Sequence, residues 1–300
     1  MSKSISFILF LFIVPAFSYA QTDTSKTQPP TWNDVRNICS PTTKTVAPHF
    51  LDVYFMHRFG SIGEASNGGI HTLYGFDVAS DILFGFDIAI SKRIMVGIAR
   101  SKQQELIDVY GKYRFLNQKK GGSPISMAIY EDIGVIPEAD NQFYGSTSIP
   151  PSRQTVMDRL DYLTQVIIDT RINKHISVEI IPTLSHRNHT LESINYNNDS
   201  FDANDIPAIA VGGRYMFTKQ IGLVADYYYV ISTYRTNNPY LHYYNPLSFG
   251  LEVFTGGHVF EITLSNSSGL LGNNFIPSTT DTWTKGGFKL GFTIMRAFNI

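Results

Sequence analysis

IDVYGKYRF (107–115) alternates without a break: Ile107, Val109, Gly111, Tyr113 and Phe115 oppose Asp108, Tyr110, Lys112 and Arg114. Successive side chains of a strand point to opposite faces, so this is a strand with one apolar and one charged face. The same period governs ILFGFDIAI (82–90), PLSFGLEVF (246–254) and FKLGFTIMRAF (288–298). Collected, such runs predict about twelve strands, near 49–59, 82–90, 94–101, 106–117, 123–135, 159–172, 175–187, 206–217, 220–234, 246–254, 257–266 and 284–298. Most reach the ~9–11 residues that a tilted strand needs to cross a bilayer. Two runs are weaker, because Arg100 and Glu131 fall on the apolar face, and Pro182 predicts a bulge in its strand.

The connections sort by length. One side carries short turns at Ser91-Lys92, Gln118 to Gly122, Asn173-Lys174, Thr218-Lys219 and Gly256-Gly257. The other carries 60–81, 102–105, 136–158, 188–205, 235–245 and 267–283, all but one of them long. Short turns alternating with long loops is the habit of outer-membrane barrels, and a soluble sandwich has no reason for it. In TGGHVFE (255–261) the Gly-Gly pair therefore reads as a hairpin turn rather than a catalytic or metal-binding loop, since glycine tolerates positive φ. Charge sorts too. Lys92, Arg93, Lys119, Lys120, Lys174 and Lys219 sit on the short turns, while Asp77, Asp81, Glu138, Asp140, Glu192, Asp199, Asp202, Asp205 and Asp281 sit on the long loops. Ordinary solvated loops account for that; an acidic surface holding divalent cations or lipopolysaccharide counter-ions is the sharper alternative.

Residues 1–20 read as a signal peptide: Lys3, an apolar run from Ile5 to Ala16, then Ser18-Tyr19-Ala20 before Gln21. Residues 21–48, rich in Thr, Pro and Ser and without periodicity, read as a flexible periplasmic lead-in, and 49–300 as the barrel. A net charge of −1 gives no sign of a nucleic-acid partner, and the single cysteine, Cys39, allows no intramolecular disulfide. The fold expected is all-β: an antiparallel, transmembrane, up-and-down barrel of about twelve strands.

With the strands placed, PTTKT (41–45), MHRFG (56–60), LYGFD (73–77), VGIARS (96–101), SHRN (185–188), TGGHVFEI (255–262), SNSSG (265–269) and GFTIMRAF (291–298) resemble a family of secreted bacterial β-barrel proteins of unknown function. The resemblance spans nearly the whole mature chain. It implies a barrel in the outer membrane of a Gram-negative cell, and no reaction, substrate or cofactor; the even strand count returns the C-terminus to the periplasmic side, where the chain begins. The last strand resembles the signal read by the barrel-assembly machinery, although Phe298 is followed by Asn299 and Ile300.

Candidate chemistry is thin. In SHRNH (185–189) adjacent strand residues face opposite ways, so Ser185 and His186 cannot pair, which weighs against a lipid-active hydrolase. His57, His71, His186, His189 and His242 map to the long-loop side, without metal-ligand spacing. The sequence thus offers no catalytic, metal or cofactor residues. What remains is the inward face: Asp52, Arg58, Asp87, Asp108, Lys112, Arg114, Asp161, Asp169, Arg171, Glu179, Arg214, Asp226, Glu252, Glu261 and Lys289 are expected to line the lumen. Two readings stand nearly even, a narrow porin-like channel for small polar solutes or ions and a lumen closed by salt bridges. A barrel that docks a partner through its external loops, with aromatics at 237–246 and Trp283, is the further alternative.

Overall fold

The computed structural model describes residues 31–64, 68–143, 155–190 and 193–300. The expected signal peptide, much of the loop 136–158 and Glu192 lie outside the described residues. Twelve strands close into one barrel: β3 (Phe50–Ser61), β4 (Ala79–Ala89), β5 (Ile94–Ser101), β6 (Ile107–Leu116), β7 (Ser126–Val135), β8 (Leu160–Arg171), β9 (Ile176–Arg187), β12 (Asp205–Met216), β13 (Ile221–Val230), β14 (Leu247–Phe254), β15 (His258–Ser265) and β16 (Lys289–Asn299). Each pairs antiparallel with its neighbour in the chain, and β16 returns to β3, so no edge is left open. Two ribbons stand outside this ladder: β1 (Arg36–Asn37) with β2 (Ser40–Pro41), and β10 (Ile194–Asn195) with β11 (Ser200–Phe201).

The period-two reading transfers directly. Phe84, Phe86, Val109, Leu251 and Ile262 are exposed on the outside, while Asp87, Asp108, Lys112 and Glu252 are buried inside. No described helix is long and apolar enough to cross a membrane; the strands supply the apolar outer surface. The aromatic residues Tyr215, Phe217, Tyr227, Tyr229 and Phe298 are exposed near strand ends, where a membrane-interface girdle belongs.

Gly256 takes φ 81° and Thr255 N donates to His258 O at 3.0 Å, so TGGHVFE is a tight hairpin with one glycine in the left-handed region. The bulge expected at Pro182 is absent. The ladder from β9 to β8 lapses there and resumes in the same register, Gln165 opposite Thr183 and Ile168 opposite Ile180. Pro182 points outward, so its missing N–H interrupts pairing without displacing the strand. Register shifts occur instead at Arg58/Phe59, Arg114/Leu116 and Lys289/Gly291.

The largest departure concerns residues 21–48. Their described part, 31–48, is no periplasmic lead-in: Trp32, Val35 and Ile38 are each only 1% exposed, and the segment runs up inside the barrel and back. Arg36 faces Pro41 and Asn37 faces Ser40, which makes a hairpin whose tip is Ile38-Cys39. From the other end the loop between β15 and β16 folds inward and carries α2 (Gly272–Ser278), with Asn273, Asn274, Phe275 and Ile276 buried. A second helix, α1 (Asp140–Phe143), lies in the loop after β7.

Candidate functional site: a polar bore and its two inserts

Polar side chains on every side of the bore reach the hairpin. Asp169 on β8 accepts three hydrogen bonds at Oδ2, from Trp32 Nε1 (3.0 Å), Thr43 N (3.1 Å) and Thr43 Oγ1 (2.6 Å). Glu179 on β9 accepts from Asn37 Nδ2 at 3.0 Å, and Glu252 on β14 from Asn33 Nδ2 at 2.8 Å. Asp226 on β13 accepts from Cys39 N and Ser40 Oγ, both at 3.3 Å. Lys112 on β6 donates to two hairpin carbonyls, Val35 O at 3.1 Å and Thr42 O at 2.8 Å. Near the short-turn end, Ser177 and Arg214 donate to Thr31 O.

Arg36 makes the one ion pair between hairpin and wall among the described residues. Its Nη1 lies 2.7 Å from Asp87 Oδ2 on β4, and its Nη2 donates to the hydroxyls of Tyr54 at 2.8 Å and Tyr110 at 2.5 Å. The guanidinium carbon sits 3.9 Å from the centre of the Tyr54 ring. This packing depends on two inward-facing glycines. A Cβ on Gly85 would fall 2.0 Å from Tyr54 Cζ, and one on Gly97 would fall 2.2 Å from Asp87 Oδ1. Only a hydrogen fits at either position.

Arg58 joins the two inserts. Its Nη2 lies 3.4 Å from Cys39 Sγ at the hairpin tip, and its Nη1 donates to Gly269 O (2.7 Å) and Ser267 O (3.2 Å) in the loop that bears α2. Asp81, expected in an external loop, instead lies within β4, is buried, and accepts from Leu270 N at 2.9 Å. Asn274 Nδ2 donates to Ser101 Oγ at 3.2 Å, and Phe275 meets Tyr228 edge-on at 4.9 Å. Between the inserts remains a cavity of only about 20 Å³, bounded by Arg36, Cys39, Leu270 and Leu271 among others. That is room for a water molecule or so. The exposure left to Cys39 opens onto this enclosed space, and burial pushes its thiol up to about 12 against the opposing pull of Arg58.

Of the residues expected to line the lumen, all but Arg114 and Arg171 are buried. Those two lie half-buried at the short-turn end, where Arg114 donates to Lys92 O at 2.8 Å and Arg171 to Asn173 O at 3.1 Å. Asp161 neighbours Arg187 across β8 and β9, and Asp52 neighbours Asp87 across β3 and β4. Lys289 pairs with Asp281 of the α2 loop rather than with the wall. Among the described residues only Arg214 and Glu252, 3.9 Å apart, form an ion pair within the expected set. The wall is little zipped to itself: Asp87, Asp169, Glu179, Asp226, Glu252, Arg58 and Lys112 bond instead to the inserts. Glu179 Oε2, Glu261 Oε1 and Asp169 Oδ1 accept no hydrogen bond from a described residue and need water to satisfy them.

The sequence reading missed the hairpin because its polar residues follow no period. The one signal present was PTTKT (41–45), a phrase of the family resemblance that falls inside the supposed lead-in. The SHRNH stretch is divided as the period requires. Ser185 is buried inside, and His186 faces out, its Nδ1 2.7 Å from Asp205 and its Nε2 3.1 Å from Asn188. No three His, Cys, Asp or Glu side chains converge to hold a metal among the described residues.

Among solved structures the chain is similar to the NanC porin (10% identity, TM-score 0.46, 83% of this chain and 100% of that one). It is also similar to the KdgM porin (8%, 0.43, 83% and 99%) and to the COG4313 outer membrane channel from Pseudomonas putida F1 (9%, 0.41, 85% and 98%). A comparison with curated proteins finds no match. The chain belongs to the family of membrane-bound β-barrel domains DUF5777, whose profile matches residues 32–298, hairpin included.

Proposed function

We propose that this protein is a channel for small polar solutes in the outer membrane of a Gram-negative cell, closed at rest by its own N-terminal hairpin. One observation carries the reading: the hairpin is tied to the wall by hydrogen bonds and charge, on groups that water can solvate equally well. A typical internal hydrogen bond contributes only about 0.5–1.5 kcal/mol net, because leaving it exchanges one polar partner for another. A mainly polar stopper in a polar bore can therefore withdraw and leave the wall hydrated, while the cover lost by Trp32, Val35 and Ile38 keeps the open state brief. The α2 insert is joined to the barrel at both ends and packs Phe275 on Tyr228, so it acts as the fixed constriction. Membrane lipid, lipopolysaccharide and the barrel-assembly machinery are the partners this location brings, and the barrel itself catalyses nothing.

Planar-bilayer recordings of the refolded barrel test this. Discrete, brief openings with a weak cation preference are expected, since acids outnumber bases on the wall. Asp108→Asn with Asp161→Asn, which leaves the hairpin's anchors intact, lowers that preference. A silent barrel favours the second reading, a non-conducting barrel that docks a partner. The near-filled bore and the exposed tips Tyr196, Phe201 and Tyr240 support that alternative.

Orientation follows from the same reading. The signal peptide at 1–20 is cleaved, both termini are periplasmic, and the long loops face outward. An epitope tag at Asn197 is labelled on intact cells and one at Lys174 is not; both positions are exposed, so burial cannot decide the outcome. Labelling at Lys174 would reverse the topology.

A further inference from the structure

At the long-loop mouth a second cavity, of about 260 Å³, opens between the loop after β13 and the α2 loop. Arg235, Asn237, Tyr243 and Tyr244 form its sides, and Ile276 and Thr279 its floor. The walls are held in place before any ligand arrives. Asn195 Nδ2 donates to Tyr234 O at 2.9 Å and Thr236 O at 2.8 Å, Tyr244 N to Thr279 O at 2.9 Å, and Arg235 Nε to Pro277 O at 2.9 Å. Binding there orders little that is loose.

Charge selects the ligand. Arg235 Nη1 lies 2.8 Å from Asp202, but that carboxylate also serves Arg187 at 2.9 Å, so one negative charge faces two guanidiniums. Among the described residues no carboxylate lines the cavity. Among the described residues Arg235 Nη2 has no hydrogen-bond partner, while the guanidinium is fixed against the Tyr243 ring, 5.0 Å from its centre. A planar donor edge held in this way matches a carboxylate. The Asn237 amide and the Tyr244 hydroxyl, likewise without side-chain partners among the described residues, suit ring hydroxyls, and the tyrosine faces suit the C–H side of a sugar ring. The volume falls below the ~300–1,000 Å³ of sites for drug-sized molecules, which fits a single sugar unit.

We propose that this cavity binds a small acidic sugar, with its carboxylate on Arg235 and its hydroxyls on Asn237 and Tyr244. The inference goes beyond conduction and does not rest on it. Calorimetric titration of the purified barrel with glucuronate, glucose and acetate tests it. Saturable glucuronate binding is expected, at least about tenfold tighter than either glucose or acetate. The pair Asn237→Ala and Tyr244→Phe, which leaves the Arg235–Asp202 contact intact, is expected to weaken glucuronate by about tenfold, the loss of two hydrogen bonds. Arg235→Lys is expected to abolish the preference over glucose, with the heat-dependent gel shift retained as proof of folding. Glucuronate binding no tighter than glucose, acetate binding as tight as glucuronate, or an unchanged affinity in the double variant would each overturn the assignment. A barrel silent in bilayers that still binds glucuronate leaves it standing.

Discussion

Arg36→Ala releases the hairpin and accelerates thiol labelling of Cys39 by roughly a hundredfold or more. The pair it removes is buried, with Asp87 fully enclosed, and the variant leaves that carboxylate and the hydroxyls of Tyr54 and Tyr110 facing an apolar methyl group. Removing one partner of a buried ion pair costs about 3–5 kcal/mol, chiefly for the charge left behind. Here that cost falls on the inserted state alone, because a withdrawn hairpin lets water reach Asp87. Cys39 is the only cysteine in the chain, so the readout is unambiguous. In the closed bore its thiol is raised to about 12 by burial and presents almost no thiolate, whereas in water it returns to about 8.5. Arg36→Lys keeps the charge but not the fork that reaches both tyrosines, and recovers part of the protection. An unchanged labelling rate in Arg36→Ala, with the barrel's heat-dependent gel shift intact, would mean that the hairpin is not held at this site.

The barrel was legible because its information is local. In 107–115 the face of each residue follows from its two neighbours, and twelve such runs with sorted loop lengths admit one closed antiparallel meander. The inward charges were legible for the same reason, since Asp87, Asp108 and Glu252 needed only a period to be placed. What fills the bore was not. Asn33 meets Glu252 across 219 residues and Trp32 meets Asp169 across 137, and nothing near Asn33 or Trp32 records either partner. A Thr- and Pro-rich stretch has the composition of a tail, yet it stays ordered because the barrel supplies the polar partners that a free tail would take from water. The α2 insert hid in the same way: 267–283 reads as a long loop, and nothing within it marks Asn273 and Asn274 as buried beside Ser101 and the wall glycine Gly134. Gly134 shows how close that fit is: a Cβ there would come 2.8 Å from Asp108 Oδ1 and 3.2 Å from Asn273 Nδ2. Pro182 failed as a signal because an outward-facing proline can drop its bonds to one neighbour and keep its register.

The hairpin's role as a stopper is tested most directly by comparing bilayer currents through the full chain with those through a chain lacking residues 31–48. Both chains must first show the heat-dependent mobility of a folded barrel, because the deletion removes the partners of Asp87, Asp169, Glu179 and Asp226 and leaves those carboxylates to water. Their desolvation is relieved once the bore fills, so the barrel itself loses little. The full chain should be closed for most of each recording, with brief openings. The shortened chain should carry sustained current, its size limited by the α2 insert that still narrows the long-loop half. Sustained current through the full chain would show that the hairpin does not stop the bore, and a folded, silent barrel in the absence of residues 31–48 would contradict the channel.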